Sequence, residues 1–143
     1  MSRSVSRSVV VRASAQEVFD LLADPARHAD FDGSGTVKGR FAGSARLRLG
    51  ARFGMRMRLV VPYVIGNTVV EFEEGRRIAW RHLGHHVWRY ELEPVPGGTR
   101  VTETFDWAPA LAPRLLELTR VPALNPRSIE RTLPRLKALA EAR

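Results

Sequence analysis

An α+β fold is the class the sequence predicts: strand, helix, a long run of strands, then helix. Three observations carry it. Between Arg46 and Val61 apolar and polar residues alternate with a period of two, the pattern of a strand buried on one face. Four further strand-like runs follow, Ile65 to Phe72, Ile78 to His82, His86 to Pro94 and Thr99 to Trp107. The last segment spaces Ile129, Leu133, Leu136 and Leu139 or Ala140 by threes and fours, the stripe of an amphipathic helix.

Taken in order, Ser4 to Ala13 reads as the opening strand, with Val5, Arg7, Val9 and Val11 on one parity. Ser14 and Glu17 form a capping box, and Val18, Leu21 and Leu22 make the buried stripe of the helix that follows, with Phe19 at its margin. Pro25 stops that helix, and a second short one is expected from Ala26 to Phe31, ended by the Asp32-Gly33-Ser34-Gly35 loop. Thr36 to Phe41 is a short strand and Ala42-Gly43-Ser44 a turn. The long alternation puts Leu47, Leu49, Ala51, Phe53, Met55, Met57, Leu59 and Val61 inward. It puts arginines 46, 48, 52, 56 and 58 outward, because a slip of one residue would bury a row of guanidinium groups. Gly50 and Gly54 are points of bending or bulging, and Pro62 ends the pattern. Ala110 to Thr119 is a helical segment, and Asn125-Pro126 reads as a cap and first-turn proline of the closing helix. Pro134 inside that helix removes a donor one turn back.

Loop lengths fix the strand register. A three-residue turn, Leu83-Gly84-His85, with Gly84 at positive φ, puts Ile78, Trp80 and His82 on one face with His86, Trp88 and Tyr90. A four-residue loop at Val95–Gly98 pairs Leu92 with Val101, Tyr90 with Glu103, and Trp88 with Phe105. Trp80, Trp88 and Phe105 are then lateral neighbours on three strands.

The chain has 143 residues, 44% of them apolar and 27% charged, which suits one domain over 1–143 with a core of its own. With no cysteine, disulfides, thiolate nucleophiles and cysteine-ligated metals are excluded. The start MSRSVSRS lacks an apolar run of signal-peptide length, so a cytoplasmic location without stable membrane insertion is expected. Net charge is +8, nearly all from arginine. The Arg46 to Arg58 row lacks interleaved aromatics, so no nucleic-acid partner is expected.

Several segments carry a family resemblance. VVVRASAQEVFDLLADPARHADF, VVEFEEGRRIAWRH, VWRYELEPVPGGTRVTETFDW and IERTLPRLKALAEA together span almost the whole chain. They resemble the helix-grip superfamily of START-like (SRPBCC) proteins, in its polyketide cyclase/dehydrase-like branch. That resemblance implies a curled antiparallel sheet of about seven strands around a long C-terminal helix, two short helices after the first strand, and a cavity between sheet and helix. It implies a small hydrophobic ligand, lipid-like, aromatic or polyketide-like, and no cofactor. The cavity positions it implies here are Phe31, the odd-numbered row Phe53, Met55, Met57 and Leu59, then Trp80, Trp88, Phe105, Ile129 and Leu133. Monomer and homodimer both stay open.

The residues themselves favour the same wall. Phe53, Met55, Met57, Trp80, Trp88, Tyr90, Phe105 and Trp107 fall on the apolar parity, and rigid rings beside adaptable thioethers suit a flat or acyl ligand. Glu103 is the exception on that face: it lies between Val101 and Phe105 and opposite Tyr90, where burial raises a carboxyl pKa. Such a group suits anchoring a ligand or weak general acid–base work. His82 and His86 share its face, while His85 falls in the turn, and no further ligand at settled spacing makes them a metal site. Three functions stay open: a binding protein for an apolar molecule; a cyclase, aromatase or dehydrase in which Glu103, Tyr90, His82 and His86 are the candidate catalytic groups; and a protein-binding or stress-response helper of the same fold that uses the basic convex face.

Overall fold

The computed structural model describes residues 3–32, 37–43, 46–58, 62–82, 85–109, 114 and 121–142. Along the chain run β1 (Ser4–Val11), α1 (Ala15–Leu22), a 3-10 turn (Pro25–Arg27), α2 (His28–Phe31), β2 (Val37–Gly43), β3 (Arg52–Arg58), β4 (Pro62–Glu73), β5 (Arg77–His82), β6 (Val87–Val95), β7 (Gly98–Asp106) and α3 (Val121–Glu141). The seven strands form one antiparallel sheet in the order β1-β7-β6-β5-β4-β3-β2. The sheet is curled, and α3 packs against β1 and β7.

The registers follow the loop lengths. Trp80 pairs with Trp88, and Trp88 pairs with Phe105; Tyr90 pairs with Glu103 and Leu92 with Val101. The β6–β7 ladder continues to Val95↔Gly98, so the turn itself is only Pro96-Gly97. Gly97 takes φ +87°, and a Cβ at Gly98 would collide with the Val11 carbonyl, so both glycines are required there. In the β5–β6 turn His85 has φ +67°; Gly84, expected to adopt a positive φ, lies outside the described residues.

The long alternation is divided. Regular pairing begins only at Arg52, and Leu49, expected inside, is 64% exposed. The cause is Gly50 at φ +80°: the Gly50 N–H donates to the Val69 carbonyl while the Val69 N–H donates to Ala51, so two residues face one. This bulge, expected at a glycine, turns Leu49 to solvent while Leu47 stays buried, its N–H on the Ala23 carbonyl at 2.7 Å. Pro62 opens β4 instead of ending a strand, at a first position where a missing donor is tolerated. A second bulge lies at Val70, because Val69 pairs with Trp80 but Glu71 pairs with Ala79. It shifts the side-chain parity, so Val69 and Phe72 both join the core. On β2 the pairing runs on through Ala42 and Gly43, where a turn was expected.

The helices follow their caps with two corrections. The Ser14 Oγ accepts from the Glu17 N–H at 3.1 Å and donates to Glu17 Oε1 at 3.2 Å. Phe19 is fully buried rather than marginal, because inward-turned Phe72 meets its ring edge-on at 5.4 Å and Arg46 lies over it. Arg46 itself is no bare member of a solvent row: it bridges Asp20 at 3.0 Å and Glu74 at 2.9 Å. Helix α3 is already formed at Val121, so Asn125 is not its cap. Pro126 and Pro134 sit inside the helix, where each removes a donor. The segment expected as a helix over 110–119 lies almost wholly outside the described residues.

Ile129, Leu133, Leu136 and Ala140 are buried on one side of α3. They share one core with Val18, Leu21 and Leu22 of α1 and with Trp80, Tyr90, Val101 and Phe105 of the sheet. The opposite sheet face is polar. There Arg89 binds Glu71 with two nitrogens, at 3.0 and 2.6 Å, and Ser6 and Ser8 meet Thr104 and Thr102 at 2.7 and 2.8 Å.

Candidate functional site

Two aromatic groups line the inner face of the sheet. In the first, α2 carries His28 and Phe31 onto β3 and β5. His28 stacks on Trp80 with centroids 4.8 Å apart and meets Phe31 and Phe53 edge-on. Trp80 in turn contacts Phe53 and Tyr90. In the second, Phe105 is the centre: Trp88 lies 4.9 Å, His86 5.4 Å and Trp107 5.6 Å from it. The two groups sit on adjacent strands because Trp80 and Trp88 are register partners.

Glu103 lies beneath this wall, 3% exposed, on the strand position next to Tyr90. The Tyr90 hydroxyl donates to Glu103 Oε2 at 2.8 Å. Glu103 Oε1 is buried and, among the described residues, without a hydrogen-bond partner. Burial pushes this carboxyl from 4.5 up to about 8; the bond from Tyr90 opposes the shift and the charge of Asp32 adds to it. The same burial, with the Glu103 charge, holds the Tyr90 hydroxyl well above its usual range. A carboxyl of this kind is mostly protonated at neutral pH and can hold or move a proton. The other register neighbour of Glu103 is Arg7, which is no counter-ion to it. Its guanidinium goes to Glu130 at 3.2 Å and to the Ser6 carbonyl at 2.8 Å.

Of the residues singled out from the sequence, the structure gathers Phe31, Phe53, Trp80, Trp88, Tyr90, Glu103 and Phe105 on the inner face, with Ile129 and Leu133 in the same core. Met55 and Met57 stand on β3 opposite Ile65 and Tyr63, but their side chains, like that of His82, lie outside the described residues. Leu59 lies outside them altogether. His86 is partly buried, which lowers its pKa. Among the described residues no three His, Asp or Glu side chains gather as metal ligands.

Two residues of this face escaped sequence reasoning. His28 is 5% exposed, its Nε2 lies 2.9 Å from the Leu22 carbonyl, and burial lowers its pKa from 6.5 to about 4, against the pull of that carbonyl and of Asp24. In the sequence it stands in a polar-looking run, Arg27-His28-Ala29-Asp30, with no periodicity to mark it. Asn67 is 4% exposed with Oδ1 unpartnered among the described residues, and it pairs with Phe53 and His82. Its signal was masked: it shares the parity of Val69 on β4, but Glu71 and Glu73 share it too, and only the bulge at Val70 takes them off that face.

The comparisons with known proteins agree with this architecture. Residues 2–141 match the family described as polyketide cyclase/dehydrase and lipid transport. Rv0088 of Mycobacterium tuberculosis, itself uncharacterized, is 42% identical over 138 residues, 92% of this chain and 62% of that protein. The chain therefore spans less than two thirds of the curated relatives it matches. Among solved structures, protein CV1439 of Chromobacterium violaceum superposes with a TM-score of 0.77 at 19% identity, covering 96% of this chain and 97% of that one. The Polyketide_cyc-like protein Cgl2372 of Corynebacterium glutamicum does so with 0.70 at 20% identity, covering 99% and 93%. At such identities these two likenesses speak for the fold alone. With the family match across nearly its whole length and the sheet-and-helix architecture described above, the chain belongs to the polyketide cyclase/dehydrase and lipid transport family of the helix-grip superfamily.

Proposed function

We propose that the protein is a one-domain, cytoplasmic binding protein that takes a small apolar molecule between the inner sheet face and α3. The observation that carries this reading is Glu103: a buried carboxyl with one oxygen held by Tyr90 and the other, among the described residues, unpartnered, set in a wall of aromatic rings. An unpaired buried polar atom is costly, and a ligand that satisfied it would recover that cost. The rings supply apolar area with few rotamers to freeze. Among the described residues no helix is long and apolar enough to cross a membrane. Native mass spectrometry of the purified protein, followed by denaturing extraction, tests the reading. A non-covalent adduct that yields an apolar compound is expected; a bare chain and an empty extract count against it.

The same carboxyl favours a second reading, a cyclase or dehydrase acting on a polyketide-like chain. Its pKa of about 8 lies close to working pH, where a proton can be both given and taken. Catalysis would then consist of folding the chain and transferring a proton at an enolisable carbonyl. Under it, Glu103→Gln lowers turnover about 100-fold while substrate binding survives. Product formation by both proteins from a thioester poly-β-ketone is the measurement, and equal turnover removes Glu103 from the chemistry.

A further inference from the structure

The bonding at Glu103 says which ligand group the site accepts. The Tyr90 hydroxyl has one proton and spends it on Oε2 at 2.8 Å. In a neutral carboxylic acid the carbonyl oxygen is the good acceptor and the hydroxyl oxygen a poor one. The carboxyl proton therefore belongs on Oε1, the oxygen that is buried and unpartnered among the described residues. Charge around the group excludes the alternative of an anionic guest. Asp32, at the end of α2, adds negative potential. Arg7 on β1 is turned to Glu130 of α3, and the exposed Arg135 of α3 gives a nitrogen to the Asp32 carbonyl at 2.8 Å. Tyr90 on β6 keeps its proton, so among the described residues no cation reaches the Glu103 carboxyl. A buried carboxylate guest would stand uncompensated beside this acid.

We propose that Glu103 donates from Oε1 to the oxygen of a neutral carbonyl compound, a ketone, ester or amide on an apolar body, and that the site rejects carboxylate anions. This rests on the binding reading above and narrows it to a ligand class.

Three probes of similar shape test it: 2-acetylnaphthalene, 2-isopropylnaphthalene and 2-naphthoate, titrated against the full chain by quenching of tryptophan fluorescence and by calorimetry. At pH 6 the ketone should bind about 3- to 10-fold tighter than the hydrocarbon, the worth of one hydrogen bond, and the naphthoate weaker than either. The ketone's advantage should vanish at pH 9.5, where Glu103 is ionised and has no proton to donate, while hydrocarbon binding stays. In Glu103→Gln the amide N–H still donates, so the advantage persists and no longer depends on pH. In Glu103→Leu the advantage is lost and the hydrocarbon still binds, which also shows that the variant is folded. Equal affinity for ketone and hydrocarbon, or naphthoate binding tightest, overturns the carbonyl assignment and leaves the binding reading standing. Failure of all three probes to bind overturns both.

Discussion

Phe105→Ala is expected to cost about 3–5 kcal/mol of folding stability, the range for truncating a buried phenylalanine. Phe105 is wholly buried at the point where β6, β7 and β1 meet, with Trp88 and Val5 as its two register partners. Three ring contacts, to Trp88, His86 and Trp107, converge on it. The hole cannot be closed by one neighbour, because Trp88 is anchored on β6 and Trp107 just beyond the end of β7, its N–H on the Arg3 carbonyl, and a filled interior relaxes only in part. Its two neighbouring tryptophans make the loss visible directly. Urea unfolding followed by fluorescence should show the midpoint falling with the slope unchanged. A loss below about 1 kcal/mol would mean that the space beside Phe105 is already open, and the ring would then be lining a cavity instead of filling one.

Much of this arrangement was legible in the sequence because period and loop length together fix register. The strand positions of Trp80, Trp88, Phe105, Tyr90 and Glu103 follow from two turns and a parity. What parity cannot see is a residue inserted into it. The bulges at Gly50 and Val70 each shift a strand by one, which expels Leu49 and draws in Phe72. The Asn125-Pro126 pair misled in a similar way: it has the look of a cap and first-turn proline, yet the helix is already formed at Val121 and holds Pro126 inside it. The site was half legible: Glu103 stood out as a carboxyl on an apolar row, whereas the Oε1 that needs a partner depends on where Tyr90 points its hydroxyl. His28 was hidden because a four-residue helix has too few turns for a stripe, and only the approach of Trp80 from β5 gives it a place.

Two buried groups that titrate in the range pH 4 to 9, Glu103 and His28, should write their signatures on stability against pH. Glu103 has its folded pKa raised from 4.5 to about 8, so the folded state holds a proton that the unfolded chain gives up. Its contribution is complete below pH 4.5 and is lost as pH rises to about 8, at about 1.4 kcal/mol per unit. His28 has its folded pKa lowered from 6.5 to about 4, so the unfolded chain takes up a proton that the folded state refuses. Its contribution is complete above pH 6.5 and is lost as pH falls to about 4. From pH 4.5 to 6.5 the two slopes are equal and opposite, and their contributions there should cancel. Above pH 6.5 only Glu103 acts, and stability should fall by about 2 kcal/mol on the way to pH 8 before levelling. Urea midpoints from pH 4 to 9 measure this profile. Glu103→Gln should abolish the alkaline fall, because an amide has no proton to lose. It should also uncover the His28 slope, so that the variant gains stability all the way from pH 4 to 6.5. His28→Phe should do the reverse and start the Glu103 fall near pH 4.5. A wild-type profile flat from pH 6.5 to 8, with Glu103→Gln unchanged beside it, would mean that the Glu103 carboxyl is solvated and carries its ordinary charge, and the proton assigned to Oε1 would go with it.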